Sequence, residues 1–284
     1  MSAVRPITIT EKQVSRFLKP RPKDSHKGMF GTVTVIGGAN GMVGAALLAG
    51  RAALKLGAGC VHVGLLADNA PVVDSQMAEL MLHGGSDALK SSTPDVLVVG
   101  CGLSHSLAAQ KLLYDVLLLD VPTVLDADAL QIIAMRPDLR SMLHSRKTAT
   151  VFTPHPGEAA HLLACSVADI QADRVASVAK LAKKLNGSVV LKGASSLCAS
   201  LDGKLYLNKT GNPGMSSAGM GDVLSGMIAA FIAQGLTADE ALLLAVYLHG
   251  AAGDELAQQQ ATIGMSATEV TEWARWLLNQ WLSK

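Results

Sequence analysis

Asn208-Lys-Thr-Gly-Asn-Pro-Gly-Met-Ser-Ser-Ala-Gly-Met-Gly-Asp222 runs without a break into Val223-Leu-Ser-Gly-Met-Ile-Ala-Ala-Phe-Ile-Ala233. Four glycines and a proline keep the first part out of regular structure. The second part is apolar, lacks proline and is followed by Gly235, so it predicts a helix over Val223–Gln234. A glycine-rich loop therefore feeds a helix N-terminus. Such a terminus presents unpaired N–H groups and the positive end of a dipole, which suits phosphate. Asp222 falls where that anion would sit. An acid in the first turn is also an ordinary helix-start preference, and these residues alone leave both readings open.

Neither common phosphate motif is matched. A P-loop needs a Lys after its last glycine, and Asp222 follows Gly221. A dinucleotide fingerprint opens the first strand–helix unit of a fold, whereas this loop lies late in the chain. A late Gly-x-Gly-Asp at a helix start resembles the phosphoryl-acceptor site of ribokinase-like enzymes. There the Asp takes the acceptor's hydroxyl proton and the loop amides hold the transferring group; general-base logic explains the first of these roles.

Working outward, strand-like and helix-like segments alternate. Strands are expected at Thr32–Gly37, Cys60–Leu66, Asp95–Gly100, Thr123–Leu130 with acids at its C-terminal end, Thr148–Thr153 and Ser188–Gly193, with a hairpin, Leu197–Ser200 and Lys204–Asn208, around Asp202-Gly203. Helices are expected at Thr10–Leu18, Met42–Leu56, Ser106–Val116, after Glu158, and at Ala172–Leu185, Val223–Gln234, Ala238–Gln258 and Thr268–Leu282. Near-continuous apolar strands alternating with helices predict an α/β fold, a mostly parallel central sheet with helices on both faces. No repeat or linker interrupts the pattern, so one domain is expected over 1–284, with residues 1–27 as an N-terminal extension packing on it.

Of 284 residues, 49% are hydrophobic and only 17% charged, enough apolar material for a large core. Aromatics are only 4%, so that core must be built from Ala, Val, Leu, Ile and Met. The net charge of +1 and the absence of a basic run exclude an electrostatic case for nucleic acid. No apolar run reaches membrane-span length without a charge, and the N-terminus lacks a signal-peptide core. A cytoplasmic protein with no membrane partner is expected. Cys60, Cys101, Cys165 and Cys198 have no zinc-ligand spacing, and three of the four are expected to be buried thiols.

In parallel sheets ligands bind beyond the carboxyl ends of strands, and the polar segments gather there. Gly37-Gly-Ala-Asn-Gly41 and Gly100-Cys-Gly102 would let a ligand approach backbone, or are ordinary turns. Asp126 and Asp128 would hold a water, a metal or a substrate hydroxyl, or else cap a helix from Ala129. His155, between two prolines, is either a fixed polar ligand or a loop histidine without a task. Lys192-Gly-Ala-Ser-Ser196 offers a cation and hydroxyls for a nucleotide, or a strand-end turn with a surface lysine. His62, among alternating apolar residues, reads as a structural histidine.

Taken together, His26-Lys-Gly-x-Phe-Gly31, Gly37-Gly-Ala-Asn-Gly41, Val99-Gly-Cys-Gly102, Leu125-Asp-Ala-Asp-Ala-Leu130, Thr153-Pro-His-Pro-Gly-Glu158, Leu191-Lys-Gly193 and Gly211-Asn-Pro-Gly-Met…Gly-Met-Gly-Asp222 occur in one order and spacing. The set resembles the ADP-dependent NAD(P)H-hydrate dehydratases, a ribokinase-like repair family, over about residues 10 to 280. Ser216-Ser-Ala-Gly-Met220 departs from relatives that carry extra glycine and a threonine there. The resemblance implies that ADP phosphorylates the hydroxyl of the S epimer of hydrated NADH or NADPH, and that phosphate then leaves. It implies Asp222 as base and contact to the hydrate, the amides of Ala218, Gly219, Met220 and Gly221 around the phosphoryl group, and Ala39, Gly102 and His155 on the hydrate. It implies Lys192, Gly193, Ala194, Ser195, Ser196 and Gly221 on the nucleotide. It further implies Mg²⁺ held by phosphate and water with no protein metal ligands, a homotetramer, and a separate epimerase, since too little sequence precedes Thr32 for a fused one. A kinase of the same fold acting on a vitamin precursor or sugar, and a non-enzymatic nucleotide sensor, are the rival readings. In the last helix, Trp273, Trp276, Leu277 and Trp281 are expected to share one face, covering the core or another subunit.

Overall fold

Alternating Val, Ile and Leu between glycine-bearing turns build the sheet. The computed structural model describes residues 5–283. Its strands are β1 (Ile7–Thr8), β2 (Thr32–Gly37), β3 (Cys60–Leu65), β4 (Met81–Gly84), β5 (Val96–Val99), β6 (Thr123–Leu125), β7 (Thr150–Phe152), β8 (Ser188–Leu191), β9 (Leu197–Ala199) and β10 (Leu205–Leu207). The helices are α1 (Glu11–Val14), α2 (Val43–Lys55), α3 (Asp87–Ser91), α4 (Leu107–Leu117), α5 (Ala127–Met135), α6 (Pro137–Ser145), α7 (Pro156–Leu163), α8 (Val167–Ala172), α9 (Arg174–Leu185), α10 (Met220–Ala233), α11 (Ala238–Gln259) and α12 (Ala267–Leu282).

All ten strands form one sheet in the order β1-β10-β9-β8-β7-β6-β5-β2-β3-β4. Every pairing is parallel except the two made by β9, with β8 and with β10. The register sets Val35 opposite Val63 and Val98, and Leu125 opposite Phe152. Because strand side chains alternate, each strand feeds two cores. Val33, Val35, Val96 and Val98 join α2, α10, α11 and α12 on one face; Ile36, Leu97, Val99 and Leu125 join α4, α5, α6, α7 and α9 on the other. The expected mostly parallel sheet with both faces covered is observed.

Several elements carried no clear signal. Two-residue β1 and short β4 lie at the sheet edges, half or more exposed, and so lack an apolar run. The short helices α3, α6 and α8 carry no signal either, and the strand expected over Thr123–Leu130 stops at Leu125, because Asp126 caps α5 and turns Ala127–Leu130 into helix. The central helix α10 starts at Met220, three residues before the expected start, so Met220, Gly221 and Asp222 form its first turn and Gly219, at φ 90°, is its N-cap. On α12 the buried stripe is Ala267, Val270, Thr271, Ala274, Leu277 and Trp281, at spacings of three and four. Trp276 precedes Leu277 by one residue, a rotation of about 100°, and is 47% exposed, which corrects the single tryptophan face. Of the cysteines, Cys101 and Cys198 are buried, Cys60 is half-buried and Cys165 is exposed, so two rather than three are fully enclosed.

Helix α10 sits in the middle of one face, with Val223, Leu224, Met227, Ile228 and Phe231 buried. Burying side chains of this size stabilises by roughly 1.5–3 kcal/mol each. It lies so close to α2 that a Cβ on Gly226 would penetrate the carbonyl oxygen of Ala49. Gly226→Ala is therefore predicted to destabilise by roughly 1–3 kcal/mol through overpacking. An open helix position would instead gain from the same change, up to about 1 kcal/mol. Thermal or urea unfolding decides by the sign.

Candidate active site

The carboxyl ends of β2, β5, β6, β7 and β8 meet the first turn of α10, and the groups there are mostly buried. Asp126 follows β6 directly and is 1% exposed. Its Oδ1 accepts from the Ala127 N–H at 2.9 Å and from Lys192 Nζ at 2.8 Å, and its Oδ2 accepts from Ser225 Oγ on α10 at 2.8 Å. Asp126, not Asp128, is thus the N-cap of α5, which begins at Ala127. Asp128 instead accepts from the Ser104 N–H at 2.7 Å. Burial alone would raise the Asp126 carboxyl, but the Lys192 ammonium and the hydrogen bonds from Lys192, Thr153 and Ser225 hold it below its usual value. The Lys192 ammonium, despite burial, is held above its usual value chiefly by Asp126 and Glu158. The pair is therefore charged at neutral pH.

Asp222 stands next to this pair. Burial, and then the Asp126 charge, push its carboxyl up to about 7, against the pull of a hydrogen bond from Cys101 and the Lys192 charge. The Cys101 thiol is raised by burial and by both aspartates, so it stays protonated and donates. A carboxylate poised near neutrality fits a general base. Gly221 is what lets the helix terminus close over the pair: a Cβ there would lie 3.0 Å from Lys192 Nζ and 3.6 Å from Asp126 Oδ2. The lysine is an inward-facing partner of the acid pair, not a surface side chain.

The neighbouring glycine turns lace the strand ends together. The Gly38 N–H donates to Cys101 O at 3.0 Å and the Ala39 N–H to Gly102 O at 2.7 Å, so two predicted hydrate contacts, Ala39 and Gly102, lie side by side. A Cβ at Gly37 would overlap Cys101 O, and one at Gly100 would overlap Asp126 O. His155 has a task in the chain: it is the N-cap of α7, its Nδ1 accepting from the Gly157 and Glu158 N–H groups at 3.0 and 3.4 Å. Its Nε2 lies 3.1 Å from Glu158 Oε1, and half of its side chain remains exposed. The Lys192 N–H donates to Pro154 O at 2.9 Å, which brings the His155 and Lys192 loops together.

Beyond Lys192 the chain turns sharply, with Gly193 at φ 136° beside the Arg174 guanidinium and Ser195 at φ 55°. Ser196 Oγ donates to Gly193 O at 3.0 Å, Ser196 O accepts from the Asn208 N–H at 2.9 Å, and exposed Ala194 and Ser195 stand at the rim. The Asn208–Ser217 loop is fixed from behind. Thr210 Oγ1 donates to Tyr247 O at 3.0 Å, and Asp254 accepts from the Gly211 N–H at 2.9 Å and from Asn212 Nδ2 at 3.0 Å. Ser217 Oγ donates to Met265 O at 2.9 Å. Ala218 is exposed at the mouth, whereas Met220 is buried in the core beneath α10. His62 pairs with His83 at 2.9 Å on β3 and β4, a structural contact as expected.

Reading the sequence singled out Asp126 and Lys192 but did not join them, and it gave no role to Cys101, Thr153 or Ser225. The Gly-Cys-Gly spacing pointed to the turn but not to its thiol; Ser225 lies inside an apolar helix and carried no signal. Cys101, Asp126 and Asp222 place one ligand atom each within 4.8 Å of one another. The set does not suit a resident Mg²⁺: a thiol is too soft a ligand, and the Asp126 oxygens are already engaged.

Comparison with known proteins shows the family. The sequence profile described as NAD(P)H-hydrate dehydratase matches residues 33–275. The chain is 43% identical to the ADP-dependent (S)-NAD(P)H-hydrate dehydratase of Neisseria meningitidis, over 92% of this chain and 90% of that protein. It is also 43% identical to the bifunctional NAD(P)H-hydrate repair enzyme Nnr of Escherichia coli, over 91% of this chain but only 50% of that longer protein. The crystal structure of the ADP/ATP-dependent NAD(P)H-hydrate dehydratase of Bacillus subtilis, co-crystallised with ATP/Mg²⁺, superposes with a TM-score of 0.87 at 30% identity, covering 98% of this chain and 100% of that one. The fold is ribokinase-like, and the chain belongs to the NAD(P)H-hydrate dehydratase family.

Proposed function

We propose that this enzyme uses ADP to dehydrate the S epimer of hydrated NADH or NADPH, giving the reduced nicotinamide nucleotide, AMP and phosphate. The observation that carries the reading is Asp222, raised to about 7 in the first turn of α10. The hydrate carries a hydroxyl on the ring carbon next to the ring nitrogen, and hydroxide leaves poorly. Asp222 takes that hydroxyl's proton as its oxygen attacks the terminal phosphorus of ADP. The bond to the bridging oxygen breaks and AMP departs. The ring nitrogen's lone pair then expels phosphate, and loss of a proton from the neighbouring carbon restores the dihydropyridine.

In this reading the amides of Ala218–Gly221 hold the transferring phosphoryl group, acting where charge develops. Lys192 and Gly221 face the phosphates, Gly193–Ser196 the rest of the nucleotide, and Ala39, Gly102 and His155 the hydrate. Mg²⁺ enters as part of the nucleotide substrate, held by phosphate and water. The relatives' names support ADP dependence and the S epimer, and the Bacillus subtilis structure's ATP/Mg²⁺ supports the metal–nucleotide complex. We place the enzyme in the cytoplasm, where its four free cysteines suit a reducing medium, working beside a separate epimerase.

Incubation with hydrated NADH and ADP is predicted to restore the absorbance of reduced nicotinamide, with one AMP and one phosphate per turnover. Asp222→Asn is predicted to lose a hundredfold to ten-thousandfold in rate, the usual cost of a missing base, and to keep its ADP affinity. A stable phosphorylated product would mark a small-molecule kinase instead, and a variant with more than half the activity would remove Asp222 from the mechanism.

We also propose a homotetramer. Leu107 and Leu118 on and beside α4 and Trp276 on α12 are exposed by 84%, 62% and 47%, apolar surface that assembly would cover. Light scattering is predicted to give about four times the 29.4 kDa chain mass; the mass of a single chain would refute it.

A further inference from the structure

Among the described residues, one buried side-chain nitrogen or oxygen has no hydrogen-bond partner: His249 Nε2. It lies on α11, whose neighbouring positions are committed to holding the Asn208–Met215 loop. Val246 O accepts from Asn208 Nδ2, and Tyr247 O accepts from Thr210 Oγ1. Gly250 admits Thr210, Gly253 admits Met215, and Asp254 holds Gly211 and Asn212. Natural proteins rarely leave such an atom orphaned, so an ordered water or a ligand is its expected partner.

What ligand it would take follows from its neighbours. Burial, and next the Lys192 ammonium, lower the imidazole to about 4, so it is neutral at physiological pH and has one N–H to donate. Lys192 is a donor only, and its Nζ lies 3.0 Å from where a Cβ on Gly221 would stand, at the amide-rich start of α10. His249 thus lies within electrostatic reach of Lys192, and Lys192 in turn lies against the first turn of α10; donors grouped on this side call for a ligand rich in acceptors and negatively charged. The residue as a whole is half-buried, whereas its Nε2 is enclosed.

We propose that His249 is a phosphoryl-binding residue whose Nε2–H donates to the terminal phosphate of a nucleoside diphosphate held by Lys192 and the first turn of α10. The inference rests on the nucleotide-dependent reading above and adds a donor to it. Titration calorimetry with ADP and with AMP tests it without using hydrate turnover. His249→Leu is expected to weaken ADP roughly tenfold to a hundredfold, the worth of a hydrogen bond to a charged group, and to leave AMP unchanged; His249→Gln is expected to restore part of the loss. Equal losses for both nucleotides, or none for ADP, overturn the assignment. Should His249→Leu fail to fold by circular dichroism, the wild-type protein decides: the ¹⁵N imidazole resonance of His249 must move with ADP and stay with AMP, and an unmoved resonance overturns it. A chain that binds neither nucleotide overturns this inference together with the proposed function. ADP binding indifferent to His249 overturns this inference alone.

Discussion

The buried ion pair between Asp126 and Lys192 is the contact on which the site depends. It joins the end of β6 to the end of β8 across β7, and through Ser225 it ties both to α10. Removing one member of a buried pair typically costs about 3–5 kcal/mol, because the other is left charged and unpaired. The pair also sets the electrostatics of its neighbour. Asp126 keeps its charge and so helps to drive Asp222 toward its neutral form; Lys192 limits that drive. Two aspartates close together thus have different resting states, one a fixed anion and one a proton acceptor near neutrality.

Glycine makes this crowding possible. At Gly37, Gly100 and Gly221 a side chain would meet backbone or the ion pair itself. Gly226 does the same work further along α10, letting it lie against α2. The helix that presents Asp222 is therefore fixed at both its first turn and its middle, and the loop before it is fixed by Asp254 and Ser217. A base held this way does not have to be ordered when a substrate arrives, which favours catalysis.

Much of this was legible in the sequence, for physical reasons. Buried parallel strands must be continuously apolar, so β2, β5, β7 and β8 announced themselves, and glycines at their ends marked the ligand side of the sheet. The glycine-rich loop followed by Asp222 marked the acid in the first turn of α10, because a helix start and an acid are both local features. The first turn of α10 was placed late because Met220 and Gly221 read as loop until packing buries Met220. The partnership of Asp126 with Lys192 was invisible, since 66 residues separate them and nothing local links a strand-end acid to a particular lysine. Cys101 and His249 were missed for the same reason: their surroundings come from other elements. His155 shows the reverse limit, a conspicuous polar residue whose capping role only the geometry reveals.

The proposed role of Asp222 is that of a base tuned by burial and by Asp126. Its raised value means that the carboxyl is protonated, and unable to accept the hydroxyl proton, below about 7. Activity that needs the carboxylate is therefore gained as pH rises through that value and lost as it falls. The pH dependence of kcat/KM for hydrated NADH at saturating ADP measures this directly. The expected rate climbs about tenfold per pH unit below an apparent value near 7 and levels off above it. A profile that stays flat down to the ordinary carboxylate range, about pH 4, would contradict it.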